Sequence, residues 1–514
     1  MKRLLALLLC LCLAFCGCAA DESAYVPTGD GLNYDEDYIG PVTPNSNDTQ
    51  KPQSLILPYY KNQSLNPYLC TDFTNRSLLT LIYQGLFFVD RNYTADPILC
   101  KSFTVTNDLK TYTFYLEQAT FSNGTTLTAD DVVASLTAAQ NSAFYKGRFL
   151  HVAGITKTSD GGVMISLNTP VENLPLLLDI PIVPASQVDA ANPLGTGPYA
   201  LYSASGGDSL RKRANWWCHP KMAITAETIT LFSAESPNHI RDQFEFADLS
   251  LACVDPGSDR YADYRCDFEL WDCENGIFLY LATSKDSEVF KNDDLRIALT
   301  YAVDRDLLVS DYYRDFARAA TLPASPLFPY YSPSLAAHYA YAPDKFAEAV
   351  SKSGMSDHNI VFLVNSDDSL RVRVARKIAQ MLKAGGLTVT MKELGTSAYT
   401  KALKNREYDI YLGQTRLSPT MDLSAFFATY GDLSWGGLND IGAYNLSLQA
   451  VENHGNYFSL HKMVMDNGLL CPLLFRSYAI YSSRGLFADL NPSRDNIFYY
   501  SLGKVTEQIR TFVE

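Results

Sequence analysis

Three groups of residues are of types that could do chemistry. Asp130-Asp131 is a pair of adjacent carboxylates, the raw material of general acid–base catalysis. Neighbouring positions on a helix point apart, however, and Thr128-x-x-Asp131 supplies a hydroxyl N-cap and a first-turn carboxylate, so capping accounts for the pair. The second group is the 11 cysteines. Cys253, Cys266 and Cys273 lie close enough in sequence for two of them to pair, and their spacing fits no zinc pattern. No local Cys-His arrangement suggests a nucleophile. The seven histidines are scattered, with no pair at i, i+4, so the sequence gives no support to a metal site, nickel included. The third group is Gly195-Thr196-Gly197-Pro198, a tight backbone passage; no Gly-Lys-Ser/Thr follows, which excludes a P-loop. Neither Gly-x-Ser-x-Gly nor His-Glu-x-x-His occurs. None of these groups forms a catalytic constellation or calls for a cofactor, and an extracellular hydrolase is the enzyme reading to weigh.

The elements that must position such residues are mixed α and β. Residues 111–116 alternate Thr with aromatic and aliphatic side chains, a strand with two distinct faces. Ser122-Asn123-Gly124 is a turn, and Val132, Val133, Leu136 and Ala139 form a helical stripe after Thr128. Residues 54–57, 163–167, 224–232 and 278–281 read as further strands. Leu295, Ala298, Leu299, Ala302 and Val303 predict one amphipathic helix behind Asp294. Residues 343–352 predict a helix with Gly354 past its end. From 360 the order is strand 360–364, helix 370–382 stopped at Gly385-Gly386, strand 387–392, helix 399–404, strand 408–412. That β-α-β-α-β order predicts parallel pairing with right-handed crossovers. Ligands of open α/β sheets sit at the carboxyl ends of the strands, so the loop after Leu412 is a pocket candidate on physical grounds.

The 514 residues, 47% hydrophobic, suffice for more than one lobe. A net charge of −14 opposes a nucleic-acid partner. Aromatic residues make up 12% of the chain, 33 of them Tyr, which suits both core packing and a ring-lined pocket. The first residues form a targeting segment: Lys2-Arg3, then an apolar run over 4–15 too short to cross a bilayer. Gly17 before Cys18 resembles a bacterial lipobox, which would make Cys18 the lipidated residue; bulky Phe15 makes Cys16 the poorer candidate. A plain secretory signal is the alternative. Acidic, Gly/Pro/Ser/Asn-containing residues 21–53 read as a flexible tether. Export permits disulfides, but seven cysteines remain beyond Cys18, so at least one thiol stays free.

Several segments resemble extracellular solute-binding protein family 5, the oligopeptide, dipeptide and nickel receptors of ABC importers. They are Asn66-Pro67, the block 114–135, Gly195-Thr196-Gly197-Pro198-Tyr199, Ala302-Val303-Asp304-Arg305 and the apolar run 469–475. The resemblance implies an α/β, two-lobed periplasmic-binding type II fold with an extra subdomain inserted in lobe one. The expected division is signal peptide 1–17, lipidated Cys18 and tether 18–53, lobe one from 54–70 with 186–275 and 474–514, inserted subdomain 71–185, and lobe two 276–473. It implies a monomeric receptor on the outer face of the cytoplasmic membrane. Such a receptor would close over a peptide-like or other small solute and deliver it to permease subunits. A receptor for signalling is a further alternative.

The resemblance also carries site residues. The loop after Asn-Pro becomes Thr71, Asp72 and Phe73. The lobe-two loop becomes Gln414, Thr415, Arg416 and Ser418, and the return strand gives Phe475 and Arg476. Tyr145 and Phe278 are added from the inserted subdomain and the crossing strand. Peptide-binding members carry a Trp and then an Asp in the lobe-two loop, the Asp pairing with the peptide amine. Thr415 and Ser418 stand at those positions here, so that anchor is missing. Arg416 and Arg476 approach the same region, and two arginines can hold a carboxylate or phosphate in bidentate fashion. The expected solute is therefore not an ordinary zwitterionic peptide bound by its amine, or it presents an acidic group, unless one or both arginines pair with structural carboxylates such as Asp422 or Asp72.

Overall fold

Two long strands run through the molecule and organise the rest. The computed structural model describes residues 55–513, apart from 219–220, 223, 259–260, 262, 438, 488–489, 499 and 502–509. The targeting segment, Cys18 and the tether lie outside the described residues. In chain order, the elements used below begin with β1 (Leu55–Tyr59), α1 (Phe73–Ser77), β2 (Cys100–Thr106), β3 (Thr111–Leu116), α2 (Ala129–Asn141), β4 (Val152–Lys157) and β5 (Val163–Leu167). They continue with β6 (Tyr199–Ala204), β7 (Gly207–Lys212), β8 (Thr228–Ser233), β9 (Leu251–Val254) and β10 (Glu269–Thr283). The last are β11 (Ala317–Ala319), β12 (Asn359–Asn365), α3 (Ser369–Ala384), β13 (Thr388–Leu394), α4 (Thr396–Asn405), β14 (Ile410–Arg416) and β15 (Cys471–Ser482).

The strands β10 and β15 pair antiparallel at the centre of a seven-stranded sheet of order β9-β15-β10-β14-β12-β13, with β11 also on β15. The pairs β12–β13 and β12–β14 are parallel, as the alternating order of strands and helices predicts. Phe278, Tyr280 and Tyr411 enter one core cluster, while Leu279, Leu281 and Leu412 enter another. Successive side chains of a strand face opposite ways, so both faces of this sheet are covered. A separate core gathers β1–β8 and α2, including a four-stranded sheet β1-β8-β7-β6 and a sheet in which β2, β3, β5 and β4 are neighbours. The ends of β15 and β10 reach this core through Ile480 and Cys273.

Local chemistry explains the joints. The Asp131 carboxylate accepts from the Thr128 N–H and hydroxyl at 2.8 Å and from the Ala185 N–H at 2.8 Å, so the cap of α2 also pins the returning chain. Gly195 and Gly197 pass so close to Ile82 that a Cβ at either would overlap its carbonyl. Arg213 ties that passage down by donating to the carbonyls of Thr196, Gly197, Thr120 and Phe121. The expected single helix from Leu295 to Val303 is instead an α-helical turn pair, Asp293–Ala298, followed by a 3₁₀ segment, Leu299–Ala302. The buried Arg305 guanidinium takes the Thr300 and Val303 carbonyls, which a continuous helix would direct elsewhere.

No disulfide links any two of Cys253, Cys266 and Cys273, and all seven described cysteines are free thiols. Cys253 lies on β9 opposite Ile480, and Cys273 on β10 opposite Tyr478. The strand β15 therefore separates them, about two strand spacings or ~9.5 Å, well beyond bridging range. Among the described residues no helix is long and apolar enough to cross a membrane.

Candidate functional site

Beginning at the loop after Asn66-Pro67, Asp72 caps α1 by accepting from the Asn75 N–H at 3.2 Å. Burial pushes its carboxyl up from the usual range, against the hydrogen bonds it receives from Asn75 and Thr74. Thr71 is exposed. Phe73 stacks on Tyr478 of β15, with ring centroids 3.6 Å apart. One turn further, Arg76 lies over the Phe144 ring, 3.2 Å from its centroid, and donates to the Tyr145 hydroxyl at 3.0 Å. The helix thus brings an arginine to the site that its first three residues do not announce.

Strand β14 does not stop at Leu412 but runs to Arg416, because Tyr280 to Ile277 of β10 continue the ladder opposite it. Gln414, Thr415 and Arg416 are therefore strand residues rather than loop residues. Arg416 donates to the Asn275 carbonyl at 2.9 Å and to Asp495 Oδ1 at 2.6 Å, and its guanidinium lies 4.0 Å from the Phe144 centroid. Arg476 donates from Nη2 to both oxygens of Asp255, at 2.8 and 2.9 Å, and from Nη1 to Gln414 Oε1 at 3.2 Å. Each arginine thus has a carboxylate partner, and neither partner is Asp422 or Asp72. Asp422 lies 2.8 Å from His151. Ser418 bonds Thr420, at 2.9 Å.

Phe278 and Phe475 stack on each other at 5.0 Å and are fully buried in the core on one face of the seven-stranded sheet. They back the site without facing it. Of the residues singled out in the sequence, the structure brings together Phe73, Tyr145 and Arg416 in one place and Gln414 with Arg476 in another.

The centre of the first place is Asp495. Besides Arg416, it receives Arg148 Nη2 at 2.6 Å and has Arg494 Nε at 3.7 Å. Arg148 also pairs with Asp179, and Arg494 with the Leu417 carbonyl. Burial opposes the charge on Asp495, but Arg416, Arg148, Arg494 and Arg76 outweigh it and hold the carboxyl far below the usual range. Burial and the neighbouring Arg416 push Arg494 down to about 9. Arg76, Arg148, Arg494 and Asp495 carry no local pattern in the sequence; Arg148 and Asp495 are 347 residues apart. The one available signal was a charged Arg494-Asp495 pair set just before apolar Ile497-Phe498.

Phe73 is the shared wall of two cavities. One, of about 60 Å³, is lined by Phe73, Arg76, Phe144, Tyr478, Arg494 and Asp495 among others. The other, of about 120 Å³, is lined by Asp72, Phe73, Arg241, Asp255, Tyr261 and Tyr264 among others. Residues 151 and 172 reach across to the β10–β15 body: His151 to Asp422, the Glu172 N–H to the Val451 carbonyl at 3.0 Å, and the Glu172 carboxylate to the His454 N–H at 2.8 Å. Among the described residues, no group of three or more His, Cys, Asp or Glu is placed to hold a metal ion.

A sheet threaded by two long strands, with a separate core on each side and a ring-and-arginine site where they meet, is the architecture of the two-lobed binding proteins. Among solved structures it is similar to the ABC transporter substrate-binding protein CtaP from Listeria monocytogenes, with a TM-score of 0.69 at 19% identity over 87% of this chain and 98% of that one. It is also similar to NikA from Brucella suis, with a TM-score of 0.67 at 18% identity over 87% and 99%. The family model described as bacterial extracellular solute-binding proteins, family 5 Middle, matches residues 94–437. The chain belongs to that family, and is a solute-binding protein of an ABC importer. Its curated relatives include the glutathione-binding protein GsiB of Salmonella typhi, 24% identical over 394 residues, covering 72% of this chain and 74% of the relative. GsiB of Shigella boydii is 25% identical over 397 residues, with the same coverage.

Proposed function

We propose that the protein captures a small acidic, peptide-like solute where its two lobes meet and hands it to a membrane permease, held at the outer face of the cytoplasmic membrane by a lipid on Cys18. The observation that carries the reading is the arginine constellation around Asp495, reached from lobe two by Arg416 and lying beside the aromatic wall of Phe73, Phe144 and Tyr478. Guanidinium groups over aromatic faces suit a carboxylate on a partly apolar body. The missing carboxylate at Thr415 and Ser418 argues in the same direction, because a free peptide amine has no counter-charge there. The relatives named for glutathione make that tripeptide the first solute to try.

The test is isothermal titration calorimetry of the purified protein with glutathione, with free-amine dipeptides bearing an acidic side chain, and with their N-acetylated forms. Acetylation is expected to leave affinity within about threefold. A loss of tenfold or more on acetylation contradicts the reading. The lipid is tested separately, by metabolic labelling with a palmitate analogue: Cys18→Ser is expected to abolish incorporation, and retained label would exclude Cys18.

A further inference from the structure

Two pairs of histidine and carboxylate cross from one core to the other, and the arginine constellation uses neither. In sequence, His151 lies between Phe149 and Val152, which pack in or against the core gathered by β1–β8 and α2. Asp422 lies between Met421 and Leu423, which pack in a core of the seven-stranded sheet. His151 Nε2 and Asp422 Oδ2 are 2.8 Å apart, with side chains 11% and 7% exposed, so water screens the pair little. The backbone aims the Asp422 carboxylate. Met421, just before it, has φ +52°, a left-handed conformation that residues other than glycine adopt only where their surroundings enforce it. The second Asp422 oxygen accepts the Ser424 N–H at 2.8 Å, and the Tyr457 hydroxyl donates to the Thr420 carbonyl. Burial raises the Asp422 carboxyl, but His151 and Ser424 outweigh it and hold the group below its usual range. In the other pair, the Glu172 carboxylate accepts the His454 N–H at 2.8 Å and lies 3.4 Å from Nδ1 of that residue, with the Tyr330 hydroxyl 3.1 Å from the same nitrogen. Burial lowers the His454 imidazole against the pull of Glu172, so this joint rests on a backbone N–H, which does not titrate.

We infer that His151 and Asp422 form a proton-dependent clasp that holds the two lobes closed over the solute. This goes beyond the acidic-solute reading and needs only that a solute is captured between two lobes. Imidazole is the side chain whose charge ordinarily changes between about pH 5 and 8. With the lobes together, its proton faces a buried carboxylate; when they part, both groups enter water and the attraction shrinks. A proton on His151 therefore favours the closed state, and closing favours the proton. The closed state gains at low pH and loses that gain as pH rises through the titration of His151. The other groups at the joint keep their charge over that range. Tyr457, within electrostatic reach of Asp422 and Glu172, is held well above its ordinary value by burial. His461, whose ring lies 5.8 Å from that of Tyr457, is lowered by burial to about 3 and stays neutral. Arg148, close before His151 in sequence, is committed to Asp495 and Asp179. Neither His151 nor Asp422 lines a cavity beside Phe73, so both are positioning residues that act on solute through closure.

The experiment is small-angle X-ray scattering of the whole protein, stripped of solute, at about pH 6 and about pH 8.5, on either side of the ordinary imidazole value. Ionic strength is matched, and each curve is fitted as a mixture of closed and open forms. The closed-to-open ratio of the wild type is expected to fall about fivefold or more as pH rises, the lower end of an ordinary coupling between two sites. His151→Gln is expected to give one ratio at both pH values. His151→Lys, which keeps its positive charge at the higher pH, is expected to stay closed at both. His454→Gln retains its backbone N–H and is expected to respond as the wild type does. The Tm of each variant reports whether it folds, and the wild type alone suffices to refute the clasp: a ratio unchanged between the two pH values overturns the inference. A response that persists in folded His151→Gln also overturns it, as does one that disappears in folded His454→Gln. No solute is added, so the outcome stands apart from the charge of the solute, which the calorimetry above decides.

Discussion

On one side of Phe73, Asp255 meets a single arginine, Arg476, through two short hydrogen bonds, and its carboxylate is 29% exposed. On the other, Asp495, 10% exposed, is shared by three arginines with a fourth close by. The chain uses the same two residue types for different ends. The Arg476–Asp255 pair is one-to-one, its carboxylate touches water, and Arg476 Nε has no hydrogen-bond partner. Asp495 is instead a buried carboxylate reached by Arg148 and Arg416 from distant parts of the chain as well as by its neighbour Arg494.

The largest expected effect comes from removing the two carboxylates in turn. Asp495→Asn leaves several buried guanidiniums without their shared partner and is expected to cost about 3–5 kcal/mol in urea unfolding. Asp255→Asn leaves Arg476 with Gln414 and some water, and is expected to cost about 1–2 kcal/mol. Equal costs would break the comparison.

Acid sharpens it. The folded-state pKa of Asp495 is depressed, so the stability it confers is present above the unfolded carboxylate value and is lost only as pH falls toward its much lower folded value. The constellation should therefore not loosen between pH 7 and 4.5. His461 behaves differently: it is fully buried, neither ring nitrogen has a hydrogen-bond partner, and burial lowers its pKa to about 3. A base with a depressed folded pKa makes the unfolded state bind more protons, so stability falls as pH drops below about 6.5, by roughly 1.4 kcal/mol per unit. That is about 2–3 kcal/mol at pH 4.5. Denaturant titrations should show this slope in the wild type and lose it in His461→Leu; an unchanged slope would move the acid sensitivity to the carboxylates.

Phe73→Ala removes the wall between the two cavities and the stack on Tyr478. It is expected to cost about 1–2 kcal/mol in stability, because Phe73 is only partly buried. Its effect on affinity for an acidic solute should exceed that of Tyr261→Ala, which lines the second cavity. The smallest expected change in stability, within about 0.5 kcal/mol, is for Ser418→Asp, since the Ser418 hydroxyl contacts only Thr420. That variant places a carboxylate where peptide-binding family members carry one. It should weaken an acidic solute measurably in calorimetry, and a gain would reverse the charge assignment.

Much of this frame was legible in the sequence. The parallel β12–β14 unit follows from alternating apolar strands and amphipathic helices, and α3 ends at Gly385 as its glycines predict. The limits of β14 were not legible, because polar Gln414-Thr415-Arg416 is held in a strand by its partner β10 rather than by its own pattern. The site was half visible. Phe73, Tyr145 and Arg416, named by the family resemblance, gather around Phe144 and Arg76. Arg148, Arg494 and Asp495 were invisible because a charge cluster built from three distant segments has neither period nor spacing. Phe278 and Phe475, drawn in by the same resemblance, are fully buried in a core cluster.

The most direct measurement compares Arg494→Gln with Arg476→Gln, as folded proteins, for affinity toward the solute that co-purifies with the wild type, read by calorimetry. The account predicts a loss of about tenfold or more for Arg494→Gln, roughly the 1.4 kcal/mol expected of one charged hydrogen bond, and less than about threefold for Arg476→Gln. The opposite order would place the solute on the Asp255 side of Phe73 and contradict the account.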